Sequence, residues 1–471
     1  MRLTVHPGSP LRGTAHVPGD KSLSHRALLF AALAKGESRI ENFLVSGVTR
    51  VMLEALSQLG VEWSLEGSRL TVRGKGLDGL RIVTIRGGET EGRKSPEEKS
   101  VPLLNCGNSA TTLRLLSGAL AAAGAPAVLD GSAGLRRRPM DRIVEPLGRM
   151  GVVIDSAPGG TAPLAIHDRP HGQSLRPFNE TLPVASAQVK TCLLLAGLAA
   201  AGKCTLREPG PSRDHTERML RSMGVEISSQ TVEIGGQTLY ETSLIPPTEP
   251  LHPICFRLPG DFSAAAFIIA AALITPGSEV RIPGVGLNPT RTGLLDVLRE
   301  MGADIRITGE CEQAGEPVGD LLVRASRLRG VQIGGELVVR MIDEFSVFGA
   351  AAAFAETRSE VRDAAELRYK ESDRIATLCQ TLNHLNGSGS EIAEETPDGF
   401  VIAGGGGLAG GTAQSYGDHR VAMAAAVAGL AARGPVTVEG AEIIGESFPG
   451  FIDQMRDLGA ALEVSPERAL G

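Results

Sequence analysis

A short polar opening followed by a long Ala/Leu-rich stretch occurs six times along the chain, which makes the protein an array of one supersecondary unit before any chemistry is considered. The openings are Asp20-Lys21-Ser22, Asn108-Ser109-Ala110, Ser186-Ala187-Gln188, Asp261-Phe262-Ser263, Asp343-Glu344-Phe345 and Asp418-His419-Arg420. Their first residues lie 88, 78, 75, 82 and 75 positions apart. Each leads into an apolar stretch of helical character, such as Arg26 to Ala34 or Val421 to Ala431, and then usually into a strand-like run such as Val436-Thr437-Val438. The tripeptide Pro-Gly-Asp stands at 18–20 and again at 259–261, opening the first and the fourth stretch.

A second helix closes each unit, and its exit also repeats: Leu59-Gly60-Val61, Met150-Gly151-Val152, Met223-Gly224-Val225, Met301-Gly302-Ala303 and Leu458-Gly459-Ala460. The Gly falls where a left-handed C-cap belongs. In the fifth unit the exit reads Leu385-Asn386-Gly387, which puts Asn386, the next-best residue for that conformation, at the cap. Alternating runs such as Leu70-Thr71-Val72-Arg73 read as strands.

At 471 residues the chain is too long for one core. Two lobes of three repeats each, roughly 240 and 210 residues, are reasonable units. A net charge of −7 argues against a nucleic-acid or anionic-membrane footprint over the whole surface. No apolar run approaches the ~18 residues needed to span a bilayer, and Met1 to Val5 reads as a strand rather than a secretion signal. The six Cys are scattered without a Cys-x-x-Cys pair, which suits reduced thiols and a cytoplasmic location. The charged, Gly-rich run from Arg86 to Ser100 lengthens the first interval and reads as a solvated hairpin extension.

If the six openings are helix N-termini, each presents unpaired N–H groups and the positive end of a helix dipole. Two lobes facing each other would line a cleft with anion-attracting helix ends, suited to phosphate or carboxylate substrates. Lys21, Arg26, Arg114, Lys190 and Arg420 stand at or soon after these openings, and together they favour anion binding over simple helix capping. Arg136-Arg137-Arg138-Pro139 and Arg213-Asp214-His215 add basic loops, and Pro139 biases Arg138 away from helical geometry, as a rigid clamp requires.

Asp343 and Glu344 place two carboxylates at one opening, where capping is the ordinary role. Glu366, Lys370, Glu371 and Arg374 fall on adjacent positions if their segment is helical, as surface ion pairs would also do. Such a density of both signs, in a chain whose helices are otherwise apolar, is what shifts pKa values and moves protons. Gly404 to Gly407 lacks a following Lys-Ser/Thr and reads as a loop. His167 and His171 have no third ligand beside them, and no Gly-x-Ser-x-Gly elbow marks a nucleophile.

Motifs in the same order along the whole chain resemble the EPSP synthase (3-phosphoshikimate 1-carboxyvinyltransferase) family. They are Pro18 to Ala27, Gly107 to Arg114, Arg138-Pro139-Met140, Ala185 to Lys190, Ser212 to Glu217, Leu287 to Arg291, Asp343-Glu344-Phe345, Leu367 to Arg374 and Asp418-His419-Arg420. The resemblance implies an α/β two-lobed inside-out barrel of six βαβαββ repeats, three per lobe. One lobe would combine 1–19 with 261–471, the other would be 20–260, and the chain would cross between them near 19–20 and 260–261. It also implies closure of the lobes on substrate.

The implied activity is transfer of the enolpyruvyl group of phosphoenolpyruvate to the 5-hydroxyl of shikimate 3-phosphate, in aromatic amino acid biosynthesis, with no metal or organic cofactor and by a cytoplasmic monomer. By carry-over, Lys21, Ser22, Arg26, Ser186, Ala187, Gln188, Arg213, Asp343 and Lys370 would hold shikimate 3-phosphate. Lys21, Arg138, Gln188, Arg374 and Arg420 would hold phosphoenolpyruvate. Asp343 would be the base on the 5-hydroxyl, and Lys21 with Glu371 would handle the proton at C3. Ala110 stands where glyphosate-sensitive members carry Gly, which implies tolerance. Gly47-Val48 replaces an acidic pair, and Glu446 a Lys, found in many members. The related UDP-N-acetylglucosamine enolpyruvyl transferases share the repeat, but their reactive Cys has no counterpart in the loop Gly131 to Pro139. A non-catalytic anion-binding relative would not be expected to keep Lys21, Asp343, Glu371, Arg374 and Arg420 together.

Overall fold

All six apolar stretches are helices, spanning Lys21–Leu33, Ala110–Ala123, Ala187–Gly197, Phe262–Ile274, Phe345–Ala352 and His419–Ala431. The computed structural model describes residues 1–80, 101–313, 315–387, 389 and 391–466. Each opening lies at a helix N-terminus, and the side chains of Ser109, Ser186, Asp261 and Asp418 accept backbone N–H groups of the first turn. These are N-caps in the strict sense, short polar residues satisfying donors that the helix itself leaves open. The helix Phe262–Ile274 is buried at every position, which explains why its sequence has no polar face. Gly118 lets the helices Ala110–Ala123 and Ala187–Gly197 pack backbone to backbone: a Cβ there would lie 2.3 Å from the Cys192 carbonyl oxygen.

Around these helices the strands among the described residues form six four-stranded sheets with one pairing pattern, a parallel pair extended by two antiparallel strands. The unit formed by 103–166 shows it in chain order: strand Leu103–Asn105, helix Ala110–Ala123, strand Ala127–Asp130, helix Asp141–Arg149, strands Ile154–Ala157 and Thr161–Ile166. This is βαβαββ. Two sheets borrow strands from the N-terminus. Arg2–His6 pairs with Val436–Glu439 and with Ala461–Ser465, and Arg12–Thr14 lies parallel to the strand Glu279–Gly286.

Two compact units result. One, here the terminal unit, comprises Met1–Lys21, Pro211–Arg213 and Pro259–Gly471; the other, the internal unit, comprises Ser22–Gly210 and Asp214–Leu258. Each has its own apolar core, built from the central helices and the inner faces of three sheets. No helix among the described residues is long and apolar enough to cross a membrane.

The exits of the second helices take the conformation their Gly residues permit: Gly60, Gly151, Gly224, Gly302 and Gly459 all have φ between 81° and 103°. The fifth unit differs from the expectation placed on Asn386. That residue ends the helix Arg374–Asn386, and Gly387 is the left-handed cap with φ 63°. With Gly available one position later, the helix gains a residue and avoids the steric cost of a Cβ in that region. The segment 86–100 lies outside the described residues.

Candidate functional site

In the terminal unit, guanidinium groups from three separate stretches of chain converge on Asp343, which stands just before the helix Phe345–Ala352. Arg213 Nη2 donates to Asp343 Oδ2 at 2.6 Å, Arg374 Nη1 to Oδ1 at 3.4 Å, and Arg420 Nη1 to the Asp343 carbonyl at 2.8 Å. Arg374 is buried and shared further: Nε donates to Asp418 Oδ2 at 2.8 Å and Nη2 to Glu371 Oε2 at 2.6 Å. Asp418 caps the helix that carries His419 and Arg420, so one carboxylate holds the Arg374 guanidinium and the Arg420 backbone N–H. Lys21 opens its helix with its N–H donated to Asp261 Oδ2 at 2.9 Å.

The helical register read for Glu366, Lys370, Glu371 and Arg374 is not formed. Ala365–Tyr369 is a short 3-10 turn, Lys370 is extended, and the helix starts at Arg374, where Asp373 accepts the Ile375 and Ala376 N–H groups. Capping by Asp373 sets that start. Of these four residues, Glu371 and Arg374 still make an ion pair, at 2.6 Å.

In the internal unit, Arg26 joins three helices. Its Nε donates to Thr216 Oγ1 at 2.9 Å, Nη2 to Thr191 Oγ1 at 2.7 Å and to the Ala187 carbonyl at 3.4 Å, and Nη1 to the Ser22 carbonyl at 3.1 Å. Ser22, Arg26 and Ala187 are thus neighbours. Gln188 receives Arg114 Nη1 at 2.7 Å and donates to Thr111 at 2.9 Å, beside Ala110; the other arm of Arg114 reaches the Pro139 carbonyl at 2.9 Å, next to Arg138. Arg138 has φ −82° and ψ 139°, the extended conformation that a following Pro favours. Ser186 caps its helix, and its N–H donates to Glu208 at 2.8 Å.

Lys190 departs from the expectation that grouped it with anion-binding cations. Its ammonium is buried between Glu208 at 3.1 Å and Glu217 at 2.8 Å. Two carboxylates within hydrogen-bond reach already satisfy that charge, which leaves it no need of a ligand anion.

The EPSP synthase (3-phosphoshikimate 1-carboxyvinyltransferase) family matches residues 5–455. The chain belongs to the EPSP synthase family. The 3-phosphoshikimate 1-carboxyvinyltransferase of Geobacter metallireducens is 44% identical over 461 residues, covering 97% of this chain and 99% of that protein. The EPSP synthase structure from Acinetobacter baumannii superposes with a TM-score of 0.82 at 37% identity, covering 99% of this chain and all of that one. The enolpyruvyl transferase NikO from Streptomyces tendae shares the fold, with a TM-score of 0.72 at 19% identity and 98% of both chains covered.

For a member of the EPSP synthase family, the electrostatics of the terminal unit are the informative part. Burial by itself would push the Asp343 carboxyl up, but Arg420, Arg213, Lys370 and Arg374 outweigh it and hold the group well below the usual carboxylate range. Lys21 retains some exposed surface, yet its ammonium is desolvated; that desolvation and then Arg420 lower its pKa, against the opposing pull of Glu371, Asp343 and Asp261. Lys370 is lowered in the same way, by burial and by Arg374 and Arg213. Burial and the cations Lys21 and Arg420 push His419 down to about 3, so the ring is neutral at physiological pH. Lys190 shifts the opposite way: Glu208 and Glu217 overcome burial and raise it.

Asp418 and Arg291, given no role from the sequence, and Glu344, read there beside Asp343 as a capping carboxylate, belong to this arrangement. Asp418 holds the Arg374 guanidinium and the Arg420 backbone N–H, Glu344 is a buried carboxyl raised by burial and by adjacent Asp343, and Arg291 holds two buried aspartates. Their signal was the N-cap position in the first two cases, which reads equally well as ordinary capping. Gly47 is exposed at the start of its helix, and a Cβ added there would meet nothing within 4 Å, so a side chain at this position would not alter packing. Glu446 ends the 3-10 turn Ala441–Glu446 and is half-buried.

Proposed function

We propose that the chain transfers the carboxyvinyl group of phosphoenolpyruvate to the 5-hydroxyl of shikimate 3-phosphate, releasing phosphate. The observation that carries the residue roles is Asp343 ionised among Arg213, Arg374 and Arg420, in the same unit as a lysine of lowered pKa. The reaction needs three proton movements: C3 of phosphoenolpyruvate gains a proton, the 5-hydroxyl loses one as its oxygen bonds to C2, and the tetrahedral adduct loses a methyl proton as phosphate leaves.

Asp343 is the base on the 5-hydroxyl. Its lowered pKa makes it a weak base in the free protein. Phosphoenolpyruvate brings negative charge to Arg374 and Arg420, and a guanidinium shared with a second anion holds a carboxylate ionised less strongly. Binding of one substrate therefore strengthens the base that acts on the other. Lys21, whose ammonium gives up its proton more readily than an ordinary lysine, handles the C3 proton together with Glu371. Arg138 and Gln188 complete the phosphoenolpyruvate set. Lys21, Ser22, Arg26, Ser186, Ala187, Gln188, Arg213, Asp343 and Lys370 hold shikimate 3-phosphate. In this reading the chain crosses between the three-repeat lobes near 19–20 and 260–261, and a single cytoplasmic chain suffices.

The test is phosphate release on mixing the protein with phosphoenolpyruvate and shikimate 3-phosphate, with UDP-N-acetylglucosamine as a parallel acceptor. Release that depends on shikimate 3-phosphate is expected; release only with the UDP-sugar would overturn the assignment. The same assay tests glyphosate tolerance. Ala110 is buried as the first residue of its helix, and its methyl would narrow the phosphoenolpyruvate pocket against the longer inhibitor. Ala110→Gly is expected to lower the inhibitory concentration of glyphosate, and potent inhibition of the unmodified protein would sink the idea.

A further inference from the structure

The two copies of Pro-Gly-Asp meet on one arginine. Gly19 and Gly260 form an antiparallel bridge, the Asp20 N–H donates to the Pro259 carbonyl at 3.0 Å, and the Asp261 N–H donates to the Pro18 carbonyl at 2.8 Å. This reciprocal pairing sets both aspartates toward Arg291, whose Nη1 lies 2.5 Å from Asp20 Oδ2 and whose Nη2 lies 2.7 Å from Asp261 Oδ1. All three side chains are buried. Ser263 Oγ accepts a further bond from Nη2 at 2.9 Å.

Arg291 is itself held in place. Asn288 Oδ1 accepts the Thr290 N–H at 2.9 Å and the Thr290 hydroxyl at 2.7 Å, its Nδ2 donates to buried Glu316 at 2.8 Å, and its carbonyl accepts the Arg291 N–H at 2.9 Å. A side chain bond of this kind fixes a turn through its own backbone. The consequence lies one residue beyond the clasp. Asp20 precedes Lys21 directly, and the free oxygen edge of Asp261, Oδ2, accepts the N–H of Lys21 at 2.9 Å.

We propose that Arg291 is a positioning residue for Lys21: by clasping Asp20 and Asp261 it fixes the backbone from which the Lys21 ammonium reaches the reacting atoms. This rests on the proposed role of Lys21 in moving the C3 proton. A planar guanidinium presents its donors in a rigid fork that fixes the two carboxylates relative to each other, a constraint that the point charge of an ammonium on a flexible stem does not impose. The clasp also keeps the Asp261 charge partly neutralised; that charge pulls the Lys21 pKa upward, and Arg291 is the first cation that lowers the pKa of Asp261.

The experiment compares Arg291→Lys, Arg291→Gln, Asp20→Asn and Lys21→Met, with turnover expressed per folded protein from thermal melts and circular dichroism. Arg291→Lys keeps the charge and loses the fork. It is expected to lose roughly ten- to a hundredfold in kcat, the order of effect of a small misplacement, with the alkaline limb of kcat/KM unmoved. Arg291→Gln is expected to lose kcat and to move that limb to higher pH, because Asp261 then acts on Lys21 without its counter-ion. Asp20→Asn, which leaves Asp261 on Arg291, is the milder variant and should lose a smaller factor, so that the inference remains open to test if Arg291 variants fold poorly. Folded Arg291→Lys and Asp20→Asn with unchanged kcat would overturn the inference. If Lys21→Met keeps full turnover, the role of Lys21 itself fails; if Lys21→Met is inactive while the clasp variants are normal, only the clasp inference fails.

Discussion

Lys190 in the internal unit and Lys21 in the terminal unit both belong to the first turns of a central helix, yet their environments pull them in opposite directions. Lys190 is enclosed by Glu208 and Glu217 within 3.1 Å, and its pKa rises. Around Lys21 the nearby carboxylates are committed to arginines: Asp261 to Arg291, Asp343 to Arg213, Glu371 to Arg374. Its pKa falls. One repeated building block therefore yields one ammonium that holds its proton more tightly than an ordinary lysine and another that holds it less tightly. The difference comes from partners, since both ammonium groups are desolvated.

The sharpest break between the two would be seen in turnover. Lys21→Met and Asp343→Asn are each expected to cut phosphate release by roughly 10²–10⁴-fold, the range for losing a positioned acid or base. Lys190→Met should leave turnover per folded molecule within a small factor of the original. Its cost is expected in stability, about 3–5 kcal/mol, because it strands two buried carboxylates without their cation. Chemical denaturation monitored by circular dichroism checks this, and an unchanged midpoint would remove the closed triad from the account.

A smaller effect separates them by sign. A lysine whose folded pKa lies below its unfolded value binds its proton less well when folded. Lys21 therefore costs stability wherever it is charged in both states, and the cost disappears only as pH rises toward 10.5. Lys190, raised when folded, contributes stability below 10.5 and loses it only as pH climbs through its folded value. At neutral pH, Lys21→Met is thus expected to raise the melting temperature while cutting turnover, and Lys190→Met to lower it. A fall in both would mean that Lys21 is a packing residue.

Much of this fold was legible along the chain because the repeat is local: six polar openings became helix N-termini, and five Gly exits took positive φ. What the sequence could not display was pairing between distant residues. The strand Arg2–His6 lies between Val436–Glu439 and Ala461–Ser465, an insertion that no periodicity announces. The candidate site follows the same rule. Asp343 and Arg374 stood out by type, but Lys190 looked like one more cation until Glu208 and Glu217 were brought to it from other elements. Arg291 lay in a recognisable motif, with nothing nearby to say that its partners were Asp20 and Asp261. The Glu366 to Arg374 spacing misled because Arg368 is drawn to Asp373 at 2.7 Å and to the Thr396 carbonyl at 2.7 Å, which holds the segment in a turn ahead of the helix.

The finest test applies one exchange to both lysines. Glu371 is among the charges that raise the Lys21 pKa, so Glu371→Gln should lower it further and carry the alkaline limb of kcat/KM to lower pH, beyond whatever rate is lost. Glu208→Gln removes a carboxylate from Lys190 in the same way, but Glu217 remains at 2.8 Å and the proposed reaction assigns that lysine no step. The limb should stay where it was. A limb that moves only with Glu371→Gln places the titrating ammonium beside Glu371, at Lys21 or at Lys370, both of which that carboxylate raises, whereas a limb that moves equally in both variants would report the unfolding of the protein at high pH rather than the loss of a catalytic proton.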